Sequence, residues 1–210
     1  MRIAAIIPVG TLEGAKSRLG DKLDAEERQD LVEDLLARTV VTALAVVGLE
    51  DVLVISPDHD VLARAAELGA RTLRQRSRGL NNGLREARAD VVAGGAEAIL
   101  ILPIDLPFAT ATAIAEVLAP LTEHEADPRR SPHVVLVADR HGTGTNALAL
   151  RPPDAIDFAF GRASRAAHRT AAEAADATYT EVGGRLTIDL DTPDDYVYVE
   201  STEAERLGVG

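Results

Sequence analysis

The feature that most restricts the fold of this chain is an alternation. Short apolar runs, stopped by turn residues, are followed by stretches with helical spacing. "RIAAIIPV" (2–9), "DVLVIS" (51–56), "EAILILPID" (97–105) and "HVVLVAD" (133–139) read as strands buried on both faces. Asp24, with Glu27 three residues on, marks a helix start, and Val32, Leu35, Leu36, Val40, Ala43, Leu44 and Val47 continue it to Gly48. "DHDVLARAAELG" (58–69) is a second helix closed by glycine, "ARTLRQ" a short strand, and 79–95 a loop leading into a helix. Ile114, Val117 and Leu118 mark another helix, and 124–132 is a polar connection. Repeated βα units predict a three-layer α/β fold around a mainly parallel sheet with right-handed crossovers.

The pattern changes after residue 139. "RHGTGTNALAL" sets two glycines before a short strand, and "FGRASRAAH" (160–168) is a turn opening a helix. "ATYTEV" and "RLTIDLDTP" read as short strands with no helix between them. This predicts a mixed or antiparallel extension folded over the open edge of the sheet. The 210 residues, 46% of them hydrophobic, are expected to form a single domain, 1–210.

A net charge of −12 disfavours binding to phosphodiester backbones and anionic membranes. The absence of cysteine excludes disulfides, thiolate metal sites and a cysteine nucleophile. No stretch approaches the roughly 20 apolar residues of a membrane span, and a cytoplasmic location is expected.

Ligands of open parallel sheets bind beyond the carboxyl ends of the strands, which directs attention to the loops 8–23 and 103–110. The first, "IIPVGTLEGAKSRLG" (6–20), resembles a Walker A loop, but Ala15 stands where that pattern needs glycine before Lys16. The next good helix start is only at Asp24, so no helix dipole backs the lysine. What remains is a glycine-containing loop with two cations, Lys16 and Arg18. They are suited to a polyphosphate, or are simply solvated surface charges. G-x-G-x-x-G and G-x-S-x-G are both absent.

Three carboxylates are more informative. Asp105 follows the apolar run in "LPIDLP", while Asp189 and Asp191 in "TIDLDTP" would share one face of an extended segment as Leu190 points inward. Clustered aspartates suit Mg²⁺, a hard ion often shared with substrate phosphates. The competing interpretation is a strand end followed by a helix, with Thr192 as N-cap, Pro193 at N1 and Asp195 at N3. It accounts for those three residues and leaves Asp189 and Asp191 over. "GTGTNAL" (142–148) and the turn with Gly161 and Ser164 resemble anion-holding turns, although Ser164 alone reads as a helix cap. His168 reads more simply as a surface or satisfied residue than as a ligand contact.

Taken in order, "IIPVGTLEGAKSRL", "GLNNGL", "LPIDLP", "GTGTNALAL", "FGRASRAAH" and "LTIDLDTPDD" resemble the guanylyltransferase family of coenzyme F420 biosynthesis, from residue 3 to about 196. The resemblance implies a nucleotidyltransferase fold of the nucleotide-diphospho-sugar transferase type, with a mixed C-terminal extension. It implies Mg²⁺-dependent transfer of GMP from GTP to a small phospho-acid. On this chain Asp105, Asp189 and Asp191 would be metal ligands, and Lys16 and Arg18 would hold the triphosphate. Lys16, Arg18 and Asp105 would be catalytic, with Asp105 and Asn81 also on the GTP side. Thr145, Gly161 and Ser164 would hold the acceptor. Family members usually carry lysine where this chain has Gly10, which lowers the positive charge near the triphosphate.

Phosphoenolpyruvate is the expected acceptor, because the Ala/Arg-rich composition resembles that of high-GC bacteria, whose members are thought to use it. 2-Phospho-L-lactate and 3-phosphoglycerate are the alternatives. Transfer of GMP or CMP to a molybdopterin-type or sugar acceptor is a neighbouring reading, and a non-catalytic nucleotide-binding module is one of another class. A homodimer is compatible with the sequence, which does not specify an oligomeric state.

Overall fold

Seven strands among the described residues join in one sheet of order β3-β2-β1-β4-β6-β5-β7. They are β1 (Ile3–Pro8), β2 (Leu49–Ser56), β3 (Arg71–Arg74), β4 (Ala98–Ile101), β5 (His133–Ala138), β6 (Thr145–Arg151) and β7 (Thr178–Glu181). The computed structural model describes residues 1–12, 19, 20, 22–123 and 132–207; Lys16, Arg18 and most of the 124–132 connection lie outside them.

β1 pairs in parallel with β2 and β4, β2 with β3, and β5 with β7. β6 runs antiparallel to both its neighbours, β4 and β5. The expected α/β class is therefore present, with a mixed C-terminal half. The extension divides: β6 is inserted inside the sheet, between β4 and β5, and only β7 lies at the edge, beside β5. Because β6 is reversed, its first residues, Thr145 and Asn146, lie at the sheet end where the parallel strands finish.

Alternating side chains feed two cores. Ile3, Ala5 and Ile7 of β1, with Ala98, Leu100 and Leu102, pack against helices α1 (Ala25–Leu44), α2 (His59–Glu67) and α4 (Ala111–Glu123). Ala4, Ile6, Ile99 and Ile101 pack against α3 (Leu80–Ala93) and α5 (Ser164–Ala174) on the opposite face. Two covered faces explain why β1, β4 and β5 lack polar alternation, while the edge strands β3 and β7 are polar and largely exposed.

Helix starts follow local chemistry. Asp24 and Glu27 form a reciprocal capping box on α1. α3 starts at Leu80, directly after Gly79 in a positive-φ conformation, so "LNNG" is the first turn of the helix and no long loop precedes it. In α6 (Pro193–Leu207) the Thr192 hydroxyl donates to Asp195 at 2.7 Å, and the Asp195 amide donates back at 3.3 Å.

The segment read as a strand over "RLTIDLDTP" is instead a short 3₁₀ turn at Arg185–Thr187 followed by irregular backbone. Its in-and-out alternation survives without a ladder: Leu190 is 2% exposed and joins the first core, while Asp189 and Asp191 on either side are half-buried.

Candidate active site

A cleft of about 1120 Å³ opens at the carboxyl end of the parallel strands. One wall is the end of β1 and its loop, Pro8 to Thr11. That loop is held by the Val9 amide, which donates to the Ile55 carbonyl at 2.9 Å, and by buried Ser56, whose hydroxyl donates to the Gly10 carbonyl at 3.3 Å. Asp105 enters from the loop after β4, and Asp189 and Asp191 from the irregular segment.

The Leu190 amide donates to the Asp105 carbonyl at 2.9 Å, which brings the two aspartate segments side by side. Asp189 has its pKa raised, first by burial and then by the negative charges of Asp105, Asp191 and Asp195. This is a concentration of negative charge that a cation would relieve. Among the described residues no three acidic or histidine side chains are gathered tightly enough to form a complete metal cage. The donor set is all oxygen, as a hard cation shared with a phosphate ligand requires.

Asp195 does not face the same fate as Asp189. Burial works against its charge, but the Thr192 hydroxyl and amide, the Asp191 amide and Arg140 outweigh it and hold its carboxyl below the usual range. Asp195 thus fixes the backbone that carries Asp191.

The cleft is also lined by hydroxyl and amide groups. Thr145 and Asn146 from β6, and Phe160 to Ser164 before and at the start of α5, border the cleft. Gly161 at φ +124° and Ala163 at φ 58° turn the backbone sharply into α5, whose N-terminal end faces the cleft with no side-chain cap. Of its first amides, Ser164 donates to the Gly161 carbonyl at 3.1 Å and Arg165 to the Thr143 carbonyl at 3.2 Å, so the terminus offers the cleft chiefly the positive end of the helix dipole. Gly144 is required for a different reason: a Cβ there would lie 2.7 Å from Asp139 Oδ2, which accepts from the Gly144 amide at 2.9 Å while Oδ1 of the same carboxylate accepts from the Thr143 amide at 2.8 Å.

The cleft therefore brings together Asp105, Asp189, Asp191, Thr145, Gly161 and Ser164 from the sequence analysis. Lys16 and Arg18 lie outside the described residues. Asn81 has a different setting: its side-chain nitrogen donates to the Phe160 carbonyl at 3.0 Å and its oxygen accepts from the Phe160 amide at 2.9 Å, while Leu80 borders the cleft. Arg162, Asn146 and Asp139 also line the cleft but were not singled out in the sequence; Arg162 is the one basic side chain there among the described residues. Arg162 and Asn146 sit inside motifs already recognised, yet nothing in their spacing distinguishes them from neighbours.

The chain matches a family model described as "Guanylyl transferase CofC like" over residues 3–199. It is 41% identical over 196 residues to a phosphoenolpyruvate guanylyltransferase of Sphaerobacter thermophilus, covering 93% of this chain and 91% of the relative. With a protein of the same name from Rubrobacter xylanophilus it is 42% identical over 210 residues, covering 96% and 95%. A 2-phospho-L-lactate guanylyltransferase of Methanocaldococcus vulcanius is 30% identical over 207 residues, covering 96% and 87%.

Solved structures agree on the fold. A nucleotide-diphospho-sugar transferase assignment from Desulfovibrio desulfuricans superposes with TM-score 0.73 at 16% identity, over 97% of this chain and 88% of the other. A CMP:2-keto-3-deoxy-manno-octonic acid synthetase complexed with CTP gives 0.64 at 15% identity, over 98% and 100%. Glucosyl-3-phosphoglycerate synthase of Mycobacterium tuberculosis, in complex with Mg²⁺ and UDP, gives 0.61 at 14% identity, over 100% and 80%. With a family match over nearly its whole length and relatives above 40% identity, this chain belongs to the CofC-like guanylyltransferases, a family of nucleotidyltransferase enzymes.

Proposed function

We propose that the protein transfers GMP from GTP to the phosphate of phosphoenolpyruvate, giving enolpyruvyl-diphospho-5'-guanosine and pyrophosphate, as a step in making coenzyme F420. The observation that carries this reading is the meeting, in one cleft, of three aspartates with Thr145, Ser164 and the start of α5, which has no side-chain cap. Phosphoenolpyruvate is favoured over 2-phospho-L-lactate by the names of the two relatives at 41% and 42% identity.

In the reaction an acceptor phosphate oxygen attacks the α-phosphorus of GTP. The new oxygen–phosphorus bond forms as the bond from the α-phosphorus to the bridging oxygen breaks, and that electron pair leaves with pyrophosphate. The acceptor is already anionic, so no strong base is needed, which fits a cleft without a histidine–carboxylate couple among its described lining residues. The barrier lies in bringing two anions together in line.

Asp105, Asp189 and Asp191 would hold Mg²⁺, whose chemistry is to neutralise the charge of the phosphates. Lys16 and Arg18 grip the triphosphate in this reading. Thr145, Ser164 and the backbone at Gly161 hold the acceptor in place. Asn81 supports the acceptor wall through Phe160 and stands beside Leu80 on the nucleotide side.

The test is incubation with GTP, Mg²⁺ and phosphoenolpyruvate, 2-phospho-L-lactate or 3-phosphoglycerate in turn, with product masses recorded. Guanylylated phosphoenolpyruvate as the main product is expected. A preference for another acid keeps the reaction and replaces the acceptor, and no product from any of them rejects the reading.

A further inference from the structure

His168 lies on α5 one helical turn beyond Ser164, is 0% exposed and does not border the cleft. Its two ring nitrogens are both engaged. The Ala159 amide donates to Nε2 at 3.0 Å, and Nδ1 lies 3.1 Å from the Thr145 hydroxyl oxygen. A backbone N–H can only donate, so Nε2 carries no proton, and the neutral ring must carry its proton on Nδ1. Nδ1–H then donates to Thr145 Oγ1.

The consequence falls on Thr145. With its oxygen already accepting from His168, the hydroxyl hydrogen is turned away from the imidazole. Thr145 is 9% exposed and borders the cleft. Its hydroxyl hydrogen is therefore left to be donated on the side away from the ring, which suits an oxyanion in the cleft.

We propose that His168 is a positioning residue that, as the Nδ1–H tautomer, fixes the Thr145 hydroxyl as a hydrogen-bond donor to an anionic oxygen of the acceptor. This rests on the assignment of Thr145 to the acceptor side. Two further contacts hold the ring in this role. Phe160 packs edge-on against it with centroids 5.0 Å apart, and Phe160 is itself clamped by Asn81. Burial also keeps the imidazole neutral, with its pKa pushed down to about 4.

Two measurements test it. The first is the nitrogen NMR spectrum of the ¹⁵N-histidine-labelled full-length enzyme without ligands, with His168 assigned by loss of its signal in His168→Gln. A single Nδ1–H tautomer at neutral pH is expected; an Nε2–H ring overturns the proposal whether or not the enzyme turns over.

The second is a double-mutant cycle on acceptor KM. Glutamine places its amide near Nε2, so H168Q retains a partner for Ala159 but removes the donor to Thr145. Acceptor KM is expected to rise about tenfold in H168Q, with GTP KM within about twofold of wild type. H168Q/T145V should be no worse than T145V alone, and H168N, which offers an amide near Nδ1, should recover most of the lost affinity.

Additive effects of H168Q and T145V, or equal rises in both KM values, would overturn the proposal alone and leave His168 as packing. A wild-type enzyme that transfers nothing to any phospho-acid would take down the acceptor assignment and this proposal together.

Discussion

The amide of Leu190 donates to the carbonyl of Asp105 at 2.9 Å, and this backbone bond joins the two segments that carry the aspartates of the cleft. Leu190 is also anchored in the core beneath them. The three carboxylates are thus held near one another by neutral contacts.

Neutralising Asp189 should therefore separate stability from activity. Its raised pKa means that ionisation is disfavoured in the folded protein by burial and by Asp105, Asp191 and Asp195. Asp189→Asn should leave the melting temperature at pH 7 unchanged or higher without metal, abolish the stabilisation by added Mg²⁺, and lower guanylyl transfer at least 100-fold. Thermal melts with and without Mg²⁺, beside a pyrophosphate-release assay, check all three.

A lysine at Gly10 should be accommodated and useful. A Cβ built at Gly10 meets nothing within 4 Å, and the residue borders the cleft. Gly10→Lys should fold normally and, at about 1 kcal/mol for a favourable charge pair near water, lower the KM for GTP about fivefold. The gain should shrink as salt is raised.

Asn81→Ala tests the acceptor wall. Losing its side chain leaves the N–H and C=O of Phe160 without these partners, at about 1–3 kcal/mol. Acceptor KM should rise several-fold more than GTP KM. A selective rise in GTP KM would instead return Asn81 to a direct role near the guanosine.

The contrast between what could and could not be read from sequence has physical causes. Strands buried on both faces announce themselves as apolar runs, and capping boxes are local, so β1, β2, β4, β5, α1 and the start of α6 were legible. The position of β6 was not, because pairing between strands depends on partners distant in sequence and not on periodicity. "RLTIDLDTP" mimicked a strand because Leu190 is buried between two aspartates, although its amide bonds to a loop carbonyl and not to a ladder. Asp105, Asp189 and Asp191 could be picked by chemistry and topology. His168 and Asn81 could not be placed, since their partners Thr145, Ala159 and Phe160 are brought to them only by the fold.

His168 also predicts a pH dependence of stability. Its pKa falls from an ordinary 6.5 to about 4 on folding, because burial penalises the charged ring. Between these values the unfolded chain binds more protons than the native one, so stability falls as pH drops from about 6.5 towards 4 and is fully present above that window. The loss from this group is on the order of 2–3 kcal/mol. Melting curves across that range should be less steep in pH for His168→Gln than for wild type; identical slopes would contradict the assignment.

The proposed reaction moves the α-phosphate of GTP onto an acceptor phosphate. The most direct measurement follows GTP labelled with ³²P at the α-position, incubated with Mg²⁺ and phosphoenolpyruvate, and locates the label in the separated products. Label is expected in a diphosphate-linked adduct of guanosine and enolpyruvate, formed one for one with unlabelled pyrophosphate and only when the acceptor is present. Label remaining in GTP, or appearing in GMP or GDP without an adduct for any phospho-acid, would contradict it.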